Sequence, residues 1–177
     1  MALLNSNEVS IVITTYNRKK ELVFTLNTLR DIINPQGIYI CDDASTDDTF
    51  EYVSREYPEI NIFQNAVNKG LIASRNQLMQ AASTGYVLSL DDDAHFINPE
   101  SLFDAISFMN DNLDCAVLAF RIFWGLKNPK TTGNSEEVYR ISNYVGCGHL
   151  FRMKAWKNSV ENYPEWYHFY GEEDYAA

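Results

Sequence analysis

Two acidic runs follow apolar, strand-like segments in this chain of 177 residues: Asp42-Asp43 after residues 37–41, and Asp91-Asp92-Asp93 after residues 86–90. At the carboxyl ends of parallel strands, side chains project into one crevice, which is where open sheets bind ligands. Five carboxylates sharing a crevice repel one another and raise each other's pKa. A hard divalent cation with oxygen ligands, Mg2+ or Mn2+, is the natural counter-charge, and it would bridge carboxylate to a diphosphate that the acids alone would repel. Turns are also rich in aspartate, and Asp42-Asp43 followed by Ser45-Thr46-Asp47 has that composition. Three consecutive acids are costlier to leave without a partner.

The elements that must position these acids alternate between strand and helix patterns, which predicts an α/β fold with a mostly parallel central sheet flanked by helices. Residues 9–14 form a short β-branched run, read as a buried strand. A helix is expected over 18–33, with Leu22, Leu26, Leu29 and Ile33 on one face and Asn34-Pro35-Gln36-Gly37 as its stop. The second strand, 37–41, leads to a helix carrying Phe50, Val53 and Tyr57 inward, with Ser45 and Asp48 at capping-box spacing. A third strand (60–63), a helix (71–82) and a fourth strand (86–90) follow. Asn98-Pro99 then opens a helix that buries Leu102, Phe103, Ile106 and Met109. Beyond Asp111 the pattern becomes mixed: a strand over 115–123, a polar loop over 125–137, and an extended stretch over 144–151 broken by Gly146 and Gly148. This later part is expected to lie over the sheet's open edge.

Composition narrows the function classes. The chain is 46% hydrophobic and 21% charged, enough apolar material for a core. Fourteen basic against twenty-four acidic residues give a net charge of −10, which argues against nucleic-acid binding and a polybasic membrane anchor. No apolar run approaches the roughly 18 residues of a transmembrane span, and no signal peptide is recognised at the start. Cys41, Cys115 and Cys147 lack metal-type spacing and are expected to be free, buried thiols in a reducing compartment.

Four stretches, in order and in register, resemble the family 2 glycosyltransferases, which have the GT-A fold. Ile11-Val12-Ile13-Thr14-Thr15-Tyr16-Asn17-Arg18 looks like the family's opening strand and loop, and Asp42-Asp43-Ala44-Ser45-Thr46-Asp47-Asp48-Thr49 is similar to its acidic second-strand motif. Asn68-Lys69-Gly70 with Ala73-Ser74-Arg75-Asn76 is similar to its third helix, and residues 85–93, ending in the three aspartates, are similar to its DXD segment. The resemblance implies one GT-A catalytic domain over 1–177. Its nucleotide-sugar-binding half would be 1–110 and its acceptor-side half 111–177. A stop three residues after an acidic group at 172–174 is expected of a piece of a longer protein.

The family's functional residues carry over as follows. Thr14, Thr15 and Tyr16 would line the base pocket, and Asp43 or its neighbour Asp42 would accept a hydrogen bond from the base. Arg75, with Lys69 as a weaker candidate, would face the base or the diphosphate; an ion pair between Arg75 and one of the aspartates is the alternative. Asp92 would contact the ribose or the metal shell, Asp93 would bind the metal, and Asp91 would shape the turn, while His95 reads as a loop histidine. Gly146-Cys147-Gly148 resembles the small-residue segment that lets the acceptor approach. Gly171-Glu172-Glu173-Asp174 is similar to the acidic acceptor-side motif, with Asp174 as general base and Glu173 as runner-up. Trp124, Trp156, Trp166, Tyr167, Phe169 and Tyr170 could form a sugar platform or a core.

The implied reaction moves a sugar from a nucleoside-diphosphate sugar, uridine being the family's commonest base, to a hydroxyl of a glycan, lipid-linked or other acceptor. A divalent metal, Mg or Mn, would assist. A single acceptor-side base implies one displacement and inversion. The implied location is cytoplasmic, or peripheral to the inner face of a membrane. A nucleotidyltransferase would need a glycine-rich basic loop after the first strand, where residues 14–18 have no glycine. A non-catalytic nucleotide-sugar or metal-binding fragment is a further alternative.

Overall fold

Alternation of apolar residues along the strands sorts them onto two buried faces of one sheet. The architecture is seen in a computed structural model that describes residues 3–125, 138–159 and 162–165. In chain order the elements are β1 (Val9–Thr15), α1 (Lys19–Leu29), β2 (Ile38–Asp42), α2 (Thr49–Glu56), β3 (Asn61–Gln64), α3 (Leu71–Ala81), β4 (Tyr86–Asp91), α4 (Glu100–Asp111), β5 (Val117–Ala119), β6 (His149–Arg152) and α5 (Met153–Ser159). They form a six-stranded sheet of order β3-β2-β1-β4-β6-β5. The pairs β3-β2, β2-β1 and β1-β4 are parallel, whereas β6 runs antiparallel to both β4 and β5. This is the α/β, mostly parallel sheet with flanking helices that the resemblance implied.

On one face Ile11, Ile13, Ile38, Ile40, Leu88 and Leu90 pack with Leu22, Leu26 and Leu29 of α1 and Leu102, Ile106 and Met109 of α4. On the other, Val12, Cys41, Val87 and Phe151 pack with Ile72, Leu78 and Met79 of α3 and Trp156 of α5. Neighbours in sequence therefore enter opposite cores, as the strand period of two requires, and burial on both faces explains why apolar residues dominate these strands. Cys41 and Cys147 are buried, Cys115 is half-buried, and all three are free thiols.

The structure departs from sequence expectation at three places. The first helix ends at Leu29 rather than near residue 33, because Leu4 pairs with the chain there: its amide donates to the Ile32 carbonyl at 2.8 Å and a parallel bridge joins Leu4 to Ile33. The capping box at Ser45 and Asp48 is not formed. Ser45 Oγ is taken by the Asn17 amide at 2.9 Å, and Asp47 instead accepts from the Thr49 amide at 3.1 Å and from its hydroxyl. Finally, β5 keeps only three residues of the strand expected over 115–123, and the later segment extends the sheet beyond β4 rather than lying over its edge.

Candidate active site

Register sets the site. Thr15 of β1 lies opposite Asp42 of β2, and Thr14 lies opposite Asp91 of β4, so the three strands end at one level. The loops beyond are knitted together. The Asp43 amide donates to the Thr15 carbonyl at 2.9 Å, and Asn17 Oδ1 accepts from the Thr46 amide at 2.7 Å. Asn17 (φ 55) and Ala44 (φ 65) both adopt left-handed backbone there. Asparagine tolerates that region, but for alanine it is strained. Thr15 is buried, Thr14 half-buried, and Tyr16 is 45% exposed at the rim.

Asp42 and Asp43 are buried and occupied. Asp42 accepts from the Ser45 amide at 2.9 Å and from Gln64 Nε2 at 3.2 Å. Asp43 accepts from Asn65 Nδ2 at 2.8 Å and from the amides of Lys69 and Gly70 at 2.9 and 2.8 Å. The Lys69 side chain is exposed, so its contact with this carboxylate is through the backbone. Gly70 has φ 90, which glycine accommodates without strain, and this opens α3 while aiming its amide at Asp43. A carboxylate has about four lone-pair positions; Asp43 has three in use.

Asp92 turns inward. Its Oδ2 accepts from the Thr15 hydroxyl at 2.8 Å and its Oδ1 from Arg18 Nε at 2.9 Å. Burial drives its pKa up to about 6, against the opposing pull of Thr15 and Arg18. Thr25 of α1 donates to the Asp92 carbonyl at 2.9 Å and fixes the turn from behind. Asp93 points outward, its side chain 55% exposed, with Oδ2 2.6 Å from Arg18 Nη2. Burial works against the charged guanidinium of Arg18, but Asp92 and Asp93 outweigh it and raise its pKa.

Beside this rim, buried Arg75 reaches Asp91, Nη2 to Oδ1 at 3.7 Å, and lies 5.9 Å from the centre of the Tyr163 ring. Asn76, one position along α3, grips the Tyr163 backbone, accepting from its amide and donating to its carbonyl, each at 2.8 Å. The Tyr163 hydroxyl meets His149 Nε2 at 3.1 Å. Burial and the charge of Arg75 push the His149 pKa down to about 3, so this histidine is neutral. Cys147 is buried near Asp91. Burial first, and that carboxylate second, push its thiol up to about 12, which rules out a thiolate nucleophile. Gly148 has φ 68, its amide donates to the Ser89 carbonyl at 2.9 Å, and an added Cβ would stand 3.1 Å from Ile122. Local backbone and packing therefore already call for glycine here.

The structure thus gathers Thr14, Thr15, Tyr16, Asp42, Asp43, Lys69, Arg75, Asp91, Asp92, Asp93, Gly146, Cys147 and Gly148 around one end of the sheet. Two guanidinium groups offset part of the charge of the five aspartates. Asp42 and Asp43 are held by amides, Asp92 and Asp93 by Arg18, and Asp91 by Arg75. Among the described residues no three His, Cys, Asp or Glu side chains form a closed metal cage. Trp156 is a core residue, and Trp124 is 82% exposed. Glu173, Asp174, Trp166, Tyr167, Phe169 and Tyr170, together with the loop from 126 to 137, lie outside the described residues. Arg18, Asn65, Asn76 and His149 join this neighbourhood without being among the residues expected from sequence. Arg18 and Asn76 stand at the ends of family-like motifs, so position alone points to them. Nothing local marks Asn65 or His149.

The model of the family described as glycosyl transferase family 2 matches residues 10–161. The chain belongs to this family. Chondroitin synthase of Escherichia coli is 29% identical over 168 residues, 89% of this chain and 24% of that protein. The crystal structure of S. aureus TarS 1-349 in complex with UDP-GlcNAc is 26% identical, with a TM-score of 0.66 over 89% of this chain and 48% of that one. The mannosyltransferase PcManGT from Pyrobaculum calidifontis, in complex with GDP-Man and Mn2+, shares the fold at 19% identity, with a TM-score of 0.71 over 94% of this chain and 49% of that one. This family 2 chain therefore spans about half or less of the length of each. No helix among its described residues is long and apolar enough to cross a membrane.

Proposed function

We propose that this family 2 chain carries the donor site of a glycosyltransferase. The transferase would move a sugar from a nucleoside-diphosphate sugar, UDP-linked, to an acceptor hydroxyl with inversion. The observation that carries the reading is the level edge formed by Thr15, Asp42-Asp43 and residues 91–93, flanked by Arg75. The UDP-GlcNAc held by TarS supports a uridine donor. The base would stack near Tyr16, between Thr14 and Thr15, and donate an N–H to the one open lone-pair position of Asp43. Asp42 would hold that turn and Asp92 would reach the ribose. Arg75 and Lys69 would balance the diphosphate.

The residues fit a divalent cation in a limited way. Asp93 offers a half-exposed, hard oxygen donor at the rim, and Mg2+ or Mn2+ is commonly held by one or two carboxylates with substrate phosphates completing its shell. Asp93 would hold it; bound there, the ion would neutralise charge on the departing diphosphate. On the acceptor side, Gly146, Cys147 and Gly148 would border the path of the incoming hydroxyl. Asp174, or Glu173, would take its proton, and one base acting alone gives inversion. The acceptor is proposed to be a glycan or lipid-linked hydroxyl, in a polysaccharide-building role at the cytoplasmic side.

Asp174→Asn tests the division of labour. It should leave UDP binding by calorimetry unchanged and lower sugar transfer at least 100-fold, within the about 10²–10⁴-fold ascribed to a positioned base. Transfer within a few-fold of wild type would remove Asp174 from the mechanism.

A further inference from the structure

We propose that Arg18 occupies the cation position of this site in the free protein, so that metal and nucleoside diphosphate bind cooperatively by displacing it together. The inference rests on the reading of Asp93 as the metal ligand and adds a residue that reading leaves out.

The geometry is asymmetric. Nε of Arg18 lies 2.9 Å from Asp92 Oδ1, a carboxylate whose side chain is only 9% exposed. Nη2 lies 2.6 Å from Asp93 Oδ2, whose side chain is 55% exposed. One end of the guanidinium is therefore anchored inside and the other covers the carboxylate that faces solvent. The Thr15 hydroxyl and Thr25 hold Asp92 in place, so the inner anchor is rigid. A cation arriving at Asp93 must remove Nη2 from Oδ2, while the bond from Nε to Asp92 can persist.

A cation arriving alone meets two costs. It breaks the Arg18–Asp93 pair, and it leaves a guanidinium beside a second positive centre. A diphosphate removes both, because the freed Nη groups match the geometry of phosphate oxygens and the added negative charge separates the two cations electrostatically. Metal and diphosphate then raise each other's affinity by the same factor, as linkage demands. Arg18 is on this account a positioning residue for the metal and a ligand-binding residue for the diphosphate.

Titration calorimetry of Mn2+ into the full chain, with and without saturating UDP, tests this on wild type, Arg18→Gln, Arg18→Lys and Asp93→Asn. Arg18→Gln should bind Mn2+ alone about fivefold tighter than wild type, the scale of a half-exposed ion pair, and should lose most of the enhancement that UDP confers. Arg18→Lys, which cannot span both carboxylates, should shift both quantities the same way by less. Asp93→Asn should abolish Mn2+ binding in either condition. If Arg18→Gln and Arg18→Lys keep the wild-type Mn2+ affinity and the wild-type enhancement while Asp93→Asn still abolishes binding, the role of Arg18 is overturned and the metal reading stands. If Asp93→Asn leaves Mn2+ binding unchanged, both are overturned.

Discussion

Asn76 satisfies both backbone polar groups of Tyr163, although the two residues lie 87 positions apart in the chain. One side-chain amide thereby docks residues 162–165 against α3, beside the Arg75–Asp91 pair. Removing it strands a buried N–H and a buried C=O, each costing about 1–3 kcal/mol when left without a partner. Asn76→Ala should therefore lower stability by about 2–6 kcal/mol. Urea denaturation followed by tryptophan fluorescence measures it; a loss under 1 kcal/mol would mean that the clamp is dispensable.

Two buried groups make opposing contributions to the pH dependence of stability. His149 titrates near 3 in the fold, below the ordinary 6.5. Between those values the unfolded chain binds a proton that the folded chain refuses, so stability is lost as pH falls from about 6.5 towards 3. Asp92 titrates near 6, above the ordinary 3.8. In that window the folded chain keeps a proton that the unfolded chain releases, so stability is lost as pH rises from about 4 to 6. The two slopes oppose each other between about pH 4 and 6. Compared with wild type over that range, Asp92→Asn should tilt the stability profile upward with pH, and His149→Gln should tilt it downward. Parallel profiles for all three proteins would show that neither shift exists.

Ala44 stands at φ 65, where a Cβ is strained. Exchange for glycine relieves about 1–2 kcal/mol of strain and costs about 0.5–1 kcal/mol in unfolded-chain entropy. Ala44→Gly should stabilise the protein by about 0.5–1 kcal/mol, seen as a raised midpoint in the same denaturation experiment. A lowered midpoint would mean that the loop between β2 and α2 is not strained.

The first, second and fourth strands were readable because each is dominated by apolar residues, and α1 and α4 show their stripes, so local pattern and final burial agree. The acids at the ends of β2 and β4 were readable for the same reason, since strand ends in a parallel sheet share one edge. What escaped were contacts settled by distant partners. Leu4 cut the first helix short, and Ser45 gave its hydroxyl to Asn17 instead of a cap. Arg18 looked like the start of a helix and became the counter-charge of Asp92 and Asp93. Counting carboxylates in a sequence takes no account of the amides and guanidinium groups that the fold delivers to them.

The shared edge of β1, β2 and β4 is proposed to be a nucleotide-sugar donor site, and thermal unfolding of the full chain with UDP and Mn2+, on wild type and Asp43→Ala, reads donor binding there. A ligand at 100 times its dissociation constant adds about 2.7 kcal/mol to the folded state. For a domain of this size that is a rise in midpoint of roughly 5–10 °C. Wild type should show that rise and Asp43→Ala should lose it; no rise in wild type, or an equal rise in the variant, would mean that this edge does not hold the donor.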